Sequence, residues 1–244
     1  MTGMPYICCD LRSSFWRTRH HIRLCPVCSV TVDTSGRKVS TVPLEGGHVA
    51  LDLANTVGGL REEPPNPADE LLLSYEDVTI WSARLGLISA RDAGSLRAAA
   101  RSDEKAAKRA LGRAIELREL LYAIFSALAD GKEPSAELLD RLRDAERAAL
   151  AEAHLTPIDG EAMAWTWPRP RELTDPLHPI VHAAVELLTD GPLDRLKICG
   201  NCRWLFLDQS RNHSRRWCSM DECGIQMKHA RFVEQRRRRS ATKG

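Results

Sequence analysis

Four cysteines near the end of the chain have the type and spacing to hold a metal. Cys199-Gly-Asn-Cys202 and Cys218-Ser-Met-Asp-Glu-Cys223 are separated by fifteen residues. Zinc takes four soft thiolates in a tetrahedron at about 2.3 Å, and a two-residue spacer turns the chain tightly enough to present a pair of them. Gly200 and Asn201 suit that turn. Cys199, Cys202, Cys218 and Cys223 are therefore the expected ligands of one structural zinc ion. Four thiolates leave no open coordination position, so such a metal holds structure and does not activate water. His213 and His229 stand nearby as substitutes, but with four thiols present they read as surface or phosphate-facing groups. A module this small has little core of its own, so metal binding is expected to be part of its folding free energy.

The remaining four cysteines lie in a different setting. Cys25-Pro-Val-Cys28 has the spacing of a zinc knuckle, but its only partners would be the adjacent pair Cys8 and Cys9. The surrounding residues carry no helix or strand period. Residues 1–42 are read as a disordered extension, with a second zinc site as the alternative. Elsewhere the sequence has no Ser/His/Asp arrangement, no glycine-rich phosphate loop and no metal set with a free position, so an enzyme is not expected. His48, Asp52 and Asn55 are the one polar cluster beside a predicted turn. They read as a hydrogen-bonding anchor, with a ligand contact as the other reading.

Around the zinc residues the charge changes sign. Residues 195–244 hold thirteen Lys or Arg against four acidic residues, a net of +9, while the whole chain carries only +2, leaving −7 on residues 1–194. An acidic body with a basic tail suits a polyanionic partner, DNA first and RNA second. Arg211, Arg215 and Arg216 lie on the loop before the second cysteine pair. Gln226, Lys228 and Arg231 follow on a predicted helix that ends in Arg236, Arg237, Arg238 and Arg239. Such residues neutralise phosphates without reading sequence, and a rigid helix can bring a few of them to base edges. Trp204 and Trp217 could stack on single-stranded bases, but the better reading places them over the zinc core.

The elements that must position these groups are mostly helical. Ser74 with Asp77, and Ser89 with Asp92, mark helix starts. Ala107, Leu111, Ala114, Leu117, Leu121, Ile124 and Leu128 recur at three- and four-residue steps and predict a long amphipathic helix over 103–129, closed by Gly131. Residues 135–151 repeat the pattern. The period then changes to alternation at Met163, Trp165 and Trp167 beside Asp159-Gly160, which predicts a hairpin. Asp175-Pro176 is expected to cap and open one more helix. The fold class expected is mainly α with small β-hairpins (α+β), with a helical domain over 43–192 and a treble-clef-like four-cysteine zinc finger over 193–240. No stretch approaches the eighteen apolar residues of a membrane span. With no secretory signal either, a cytoplasmic location is expected.

The run Cys199-Gly-Asn-Cys202-Arg-Trp-Leu-Phe-Leu-Asp208, with Ser210-Arg-Asn212, Arg215-Arg-Trp-Cys-Ser-Met220 and Cys223-Gly224, resembles the CGNR zinc-finger family. Upstream, Gly46-Gly-His-Val-Ala-Leu-Asp-Leu-Ala-Asn-Thr56 resembles the start of the ABATE domain that accompanies it. Together the two resemblances span roughly residues 44–240. They imply a stress-induced transcriptional regulator with a mostly helical amino-terminal domain and a DNA-binding zinc module. The chain departs from the family at the motif that names it, since Ile225-Gln226 follows Cys223-Gly224 in place of Asn-Arg, which removes one bidentate donor.

The expectation is thus a DNA-binding regulator whose acidic body senses a small-molecule effector or forms a homodimer. The alternative is an RNA-binding or protein-interaction adaptor in which the zinc module is only a scaffold.

Overall fold

The computed structural model describes residues 38–61, 63–158 and 162–241. Cys8, Cys9, Cys25, Cys28 and the Asp159-Gly160 turn lie outside the described residues, as do the side chains of Arg236 to Arg239. The described chain is mainly α with two small antiparallel hairpins.

Polar caps set the helix starts. His48 Nδ1 accepts from Ala50 N and opens α1 (Val49–Ala54), whose six residues are all buried. Ser74 and Asp77 form a reciprocal capping box on α2 (Tyr75–Arg84). Ser89 caps α3 (Ala90–Ser102), Asp103 caps α4 (Glu104–Ala129), and Ser135 caps α5 (Ala136–Ala151). Each cap supplies an acceptor to an amide that the helix leaves unbonded, worth about 1 kcal/mol.

After α5 the chain forms the hairpin β1 (His154–Ile158) and β2 (Ala162–Thr166), with Leu155 opposite Trp165. Asp175 does not cap the helix that follows. Its Oδ2 instead accepts from the backbone of Arg171 and Glu172, folding the incoming loop back on itself. A 3-10 turn at Asp175–Leu177 then leads into α6 (His178–Asp190).

The carboxy-terminal part is a second hairpin, β3 (Leu196–Ile198) with β4 (Leu205–Leu207), and then α7 (Ile225–Ala241). A π-type turn at Met220–Gly224 precedes α7. Strand β3 is not evident in the sequence because its three residues are too short to show alternation.

One apolar core joins the helical body to the second hairpin. Leu51, Leu53, Leu121, Ile124, Phe125 and Ile180 form its helical centre, and Leu205 and Phe206 of β4 belong to the same cluster. Strand β3 packs on α4, and β4 packs on both α1 and α4. The core also reaches upstream of Pro43. Val39 and Val42 are buried in it, and a turn from Lys38 to Val42 holds them there. The expected extension of 1–42 is therefore too long at its end, because two apolar side chains find cover on the body.

Candidate zinc centre and nucleic-acid interface

The zinc site is built on the turn of the second hairpin. Cys199 follows β3, Cys202 closes the turn, and Cys199 N donates to Trp204 O at 2.9 Å. Gly200 is required here, since a Cβ would stand 2.7 Å from the Trp217 ring. The other pair arrives on the loop after β4, with Cys223 on the turn before α7. All four sulfurs lie within 4.8 Å of one another. Cys202 Sγ to Cys218 Sγ is 3.6 Å and Cys218 Sγ to Cys223 Sγ is 3.7 Å. A tetrahedron with 2.3 Å arms has edges of about 3.8 Å, so the sulfurs stand where a shared zinc ion would hold them. Hydrogen bonding among them drives Cys199 well below, and Cys218 well above, the usual thiol range. Four thiolates this close cannot coexist without a cation between them. These four residues form the zinc-binding site.

Buried polar groups fasten the site to the body. Asn55, at the end of α1, brackets Leu205: its Nδ2 donates to Leu205 O at 2.8 Å and its Oδ1 accepts from Leu205 N at 2.8 Å. It behaves as one more strand partner for β4. Asp52 Oδ1 accepts from Gly46 N at 2.8 Å, and Gly46 O accepts from Leu207 N. A side chain at position 46 would collide with α1, at 2.9 Å from Asp52 N. Burial raises the Asp52 carboxyl to about 7 and lowers the His48 imidazole to about 4. His48, Asp52 and Asn55 thus cap, brace and pair within the fold.

A second set of ties is not legible in the sequence. Trp204 is buried, with Nε1 donating to Val57 O at 3.1 Å, so its indole is not available to a base. Arg118, 3% exposed, makes two bonds to Glu70 at 2.6 and 2.8 Å and a third to Glu119. Glu119 also faces Arg203 at 3.5 Å, and the Arg203 guanidinium lies 3.9 Å from the centre of the Tyr122 ring. Asp208 is wholly buried. Burial alone would raise its carboxyl, but Lys197 at 2.6 Å and the amides of Ser210 and Arg215 hold it well below the usual range. That anion pins both ends of the polar loop between β4 and Cys218. Nothing in sequence spacing announces an ion pair between distant elements, which is why Glu70, Arg118, Glu119 and Asp208 escape a reading of the sequence.

The expected nucleic-acid contacts divide. Arg215 is spent internally and must be withdrawn from them. Its guanidinium bonds Glu45 at 2.6 Å and the carbonyls of Trp217 and Cys218, and it lies over the Phe206 ring. The cause is the same apolar hairpin face that buries Phe206, which draws a flat cation across it. Gln226 is exposed, but its Oε1 accepts from Asn201 at 2.8 Å, so that amide ties α7 to the knuckle. Arg211, Lys228 and Arg231 lie at the surface with Arg216, which rests 5.6 Å from the Trp217 ring. Arg236 to Arg239 lie on the last part of α7.

Among the described residues, no helix is long and apolar enough to cross a membrane. No curated protein matches the chain at a significant level. Two family models do, in tandem. ABATE, described as "Putative stress-induced transcription regulator", covers residues 47–191, which is the helical body with the His48, Asp52 and Asn55 anchor. The CGNR zinc finger covers residues 195–239, which is the hairpin, the four cysteines and α7. The chain belongs to the ABATE family and carries a CGNR zinc finger as its carboxy-terminal part.

Proposed function

We propose that this chain is a DNA-binding transcriptional regulator, not an enzyme, that acts in the cytoplasm. In this reading the zinc-fixed finger carries α7 to a duplex, and the acidic body senses a small effector or mediates self-association. The observation that carries it is the setting of α7. This helix of seventeen residues, about 25 Å long at 1.5 Å per residue, packs within the chain mainly on the Met220–Gly224 turn. Its Lys228 and Arg231 are exposed, and it continues through four further arginines. A cationic helix on a rigid base is what phosphate contact and groove entry both require.

The test uses the full chain, because β3 and β4 complete their core on α1 and α4 and an isolated tail would lack it. Binding to duplex DNA is measured by fluorescence anisotropy across a salt series. The expected result is an affinity that falls linearly in log–log form. Lys228→Ala and Arg231→Ala should each reduce the slope by about 1. Salt-independent binding, or none, would remove the reading.

A second reading has its own support. Ile225, Phe232 and Val233 of α7 are 50, 57 and 43% exposed, a large apolar share for a helix that meets only phosphates. A protein-interaction or RNA-binding adaptor would use them. Competition of single-stranded RNA against duplex DNA on the full chain separates the two, since the adaptor prefers the RNA or neither.

A further inference from the structure

A small cleft on the helical body, lined by none of the zinc ligands, has lining chemistry of one kind. Its volume is about 280 Å³. Trp165 and Trp167, two apart on β2 and the residues after it, share one face of the hairpin and form one wall. Ile88 and a set of prolines form the others, and Asp175 supplies the one carboxylate. No Lys, Arg or His is among the lining residues.

A helix start usually offers free amides to an anion, and this cleft lies at the start of α6. Here those amides are missing or used. Pro176 and Pro179 have none, as do Pro168 and Pro170 on the opposite side. Asp175 N donates to Glu172 O, and Leu177 N to Thr174 O. His178 N donates to Asp175 O. On the third side, Gly86 N and Leu87 N are bonded to Ala83 O and Ser82 O. The nearby cation Arg169 is held by Asp92 at 2.6 and 2.8 Å. An anion would therefore enter a site with few donors and an uncompensated carboxylate.

The opposite charge meets the reverse conditions. Trp167 Nε1 donates to Ala149 O at 2.9 Å, so its polar edge is turned into the body and what it presents is ring. Both indoles pack against the buried His182, at ring-centre distances of 6.3 and 5.5 Å, which fixes their orientation. Asp175 Oδ2 is held in place by two backbone amides, those of Arg171 and Glu172. Two half-buried indoles lining the cleft, a carboxylate held in place and a wall of prolines suit an organic cation.

We propose that this Trp165–Trp167–Asp175 cleft binds a small organic ammonium compound, with its apolar substituents against Ile88 and the prolines. The inference rests on reading the body as the sensing half, and it names the ligand class which that half takes.

The test is made on the full chain with ¹⁵N-labelled tryptophan, following the six indole N–H signals by NMR. Trp165→Phe and Trp167→Phe assign the two that matter. The probe is choline, compared with its neutral isostere 3,3-dimethylbutan-1-ol, which has the same shape and no charge. Saturable shifts confined to Trp165 and Trp167 are expected, with choline binding roughly five- to thirtyfold tighter than the alcohol, as a cation over aromatic faces requires. Asp175→Asn keeps one side-chain oxygen as acceptor for the two amides and should reduce that preference, leaving the part owed to the indoles. If this variant misfolds, the comparison of the two probes on the unaltered chain still decides. Equal binding of the alcohol, uniform shifts at all indoles, or no saturation would overturn the proposal. None of these readouts depends on DNA, so failure here leaves the salt-series result standing, and failure there leaves this one.

Discussion

At the scale of single residues, two side chains give opposite lessons about buried polarity. Asn55 makes both of its bonds to the backbone of Leu205, in a place that water does not reach. Asn55→Ala would leave a buried amide and a buried carbonyl without partners, each costing about 1–3 kcal/mol. The urea midpoint should fall by an amount equivalent to roughly 2–6 kcal/mol, and a change below about 1 kcal/mol would mean that β4 finds another partner. His182 instead brings a titratable ring into the core. Burial works to lower its pKa, but hydrogen bonds to Glu186 and to Glu146 at 2.6 Å, with the charges of both, outweigh it and raise the value. A raised histidine stabilises the fold fully below its unfolded value of about 6.5, and that contribution fades as pH climbs through the folded-state value above it. Melting measured from about pH 6 upwards, through and above the unfolded value, should show the native chain losing stability that His182→Asn does not lose. A parallel fall in the variant would place the titration elsewhere.

At the scale of elements, what can be read in advance follows from period and caps. Helix α4 shows its stripe of Leu117, Leu121 and Ile124 because an exposed helix must segregate one face, and Asp103 marks its start. The zinc ligands are legible for a similar reason, since chelation fixes both residue type and spacing. Short elements carry neither signal. Helix α1 is buried on every side, so its residues are apolar without a stripe and resemble a strand as much as a helix. Strand β3 has three residues and is defined only by its pairing with β4. The basic loop misleads for another reason. Arg211, Arg215 and Arg216 are equivalent as a charge run, yet Arg215 faces Glu45 across 170 positions of sequence and the others do not. Only the folded chain separates a cation used to close the structure from one left for a partner.

At the scale of the molecule, the finger and the body share one core, and this decides how the zinc ion acts. In an independent finger, removal of the metal unfolds a few dozen residues and leaves the rest intact. Here Leu205 and Phe206 are wholly buried in the cluster that contains Leu51 and Leu121, and the chain of Glu70, Arg118, Glu119 and Arg203 runs from the body to the knuckle. Loss of the ion would free Cys199 and Cys202 at the turn between β3 and β4, loosening the hairpin that closes the core over α1 and α4. Stripping the metal with a chelator should therefore lower the melting of the whole helical body. Structural zinc contributes on the order of 10–16 kcal/mol in isolated fingers. If only about 5 kcal/mol of that reaches the shared core, the midpoint drops by roughly 10–20 °C for a chain of this size. Far-ultraviolet circular dichroism follows the body, and the indole N–H NMR signals of Trp204 and Trp217, beside the cysteines, follow the finger. The two should shift together in the stripped protein and in Cys202→Ser. A helical signal that melts where it did before, with only those two indole signals altered, would mean that the body stands without the finger. It would also mean that the contacts through Asn55 and Arg203 transmit no stability, and that occupancy of the metal site cannot report to the helical body.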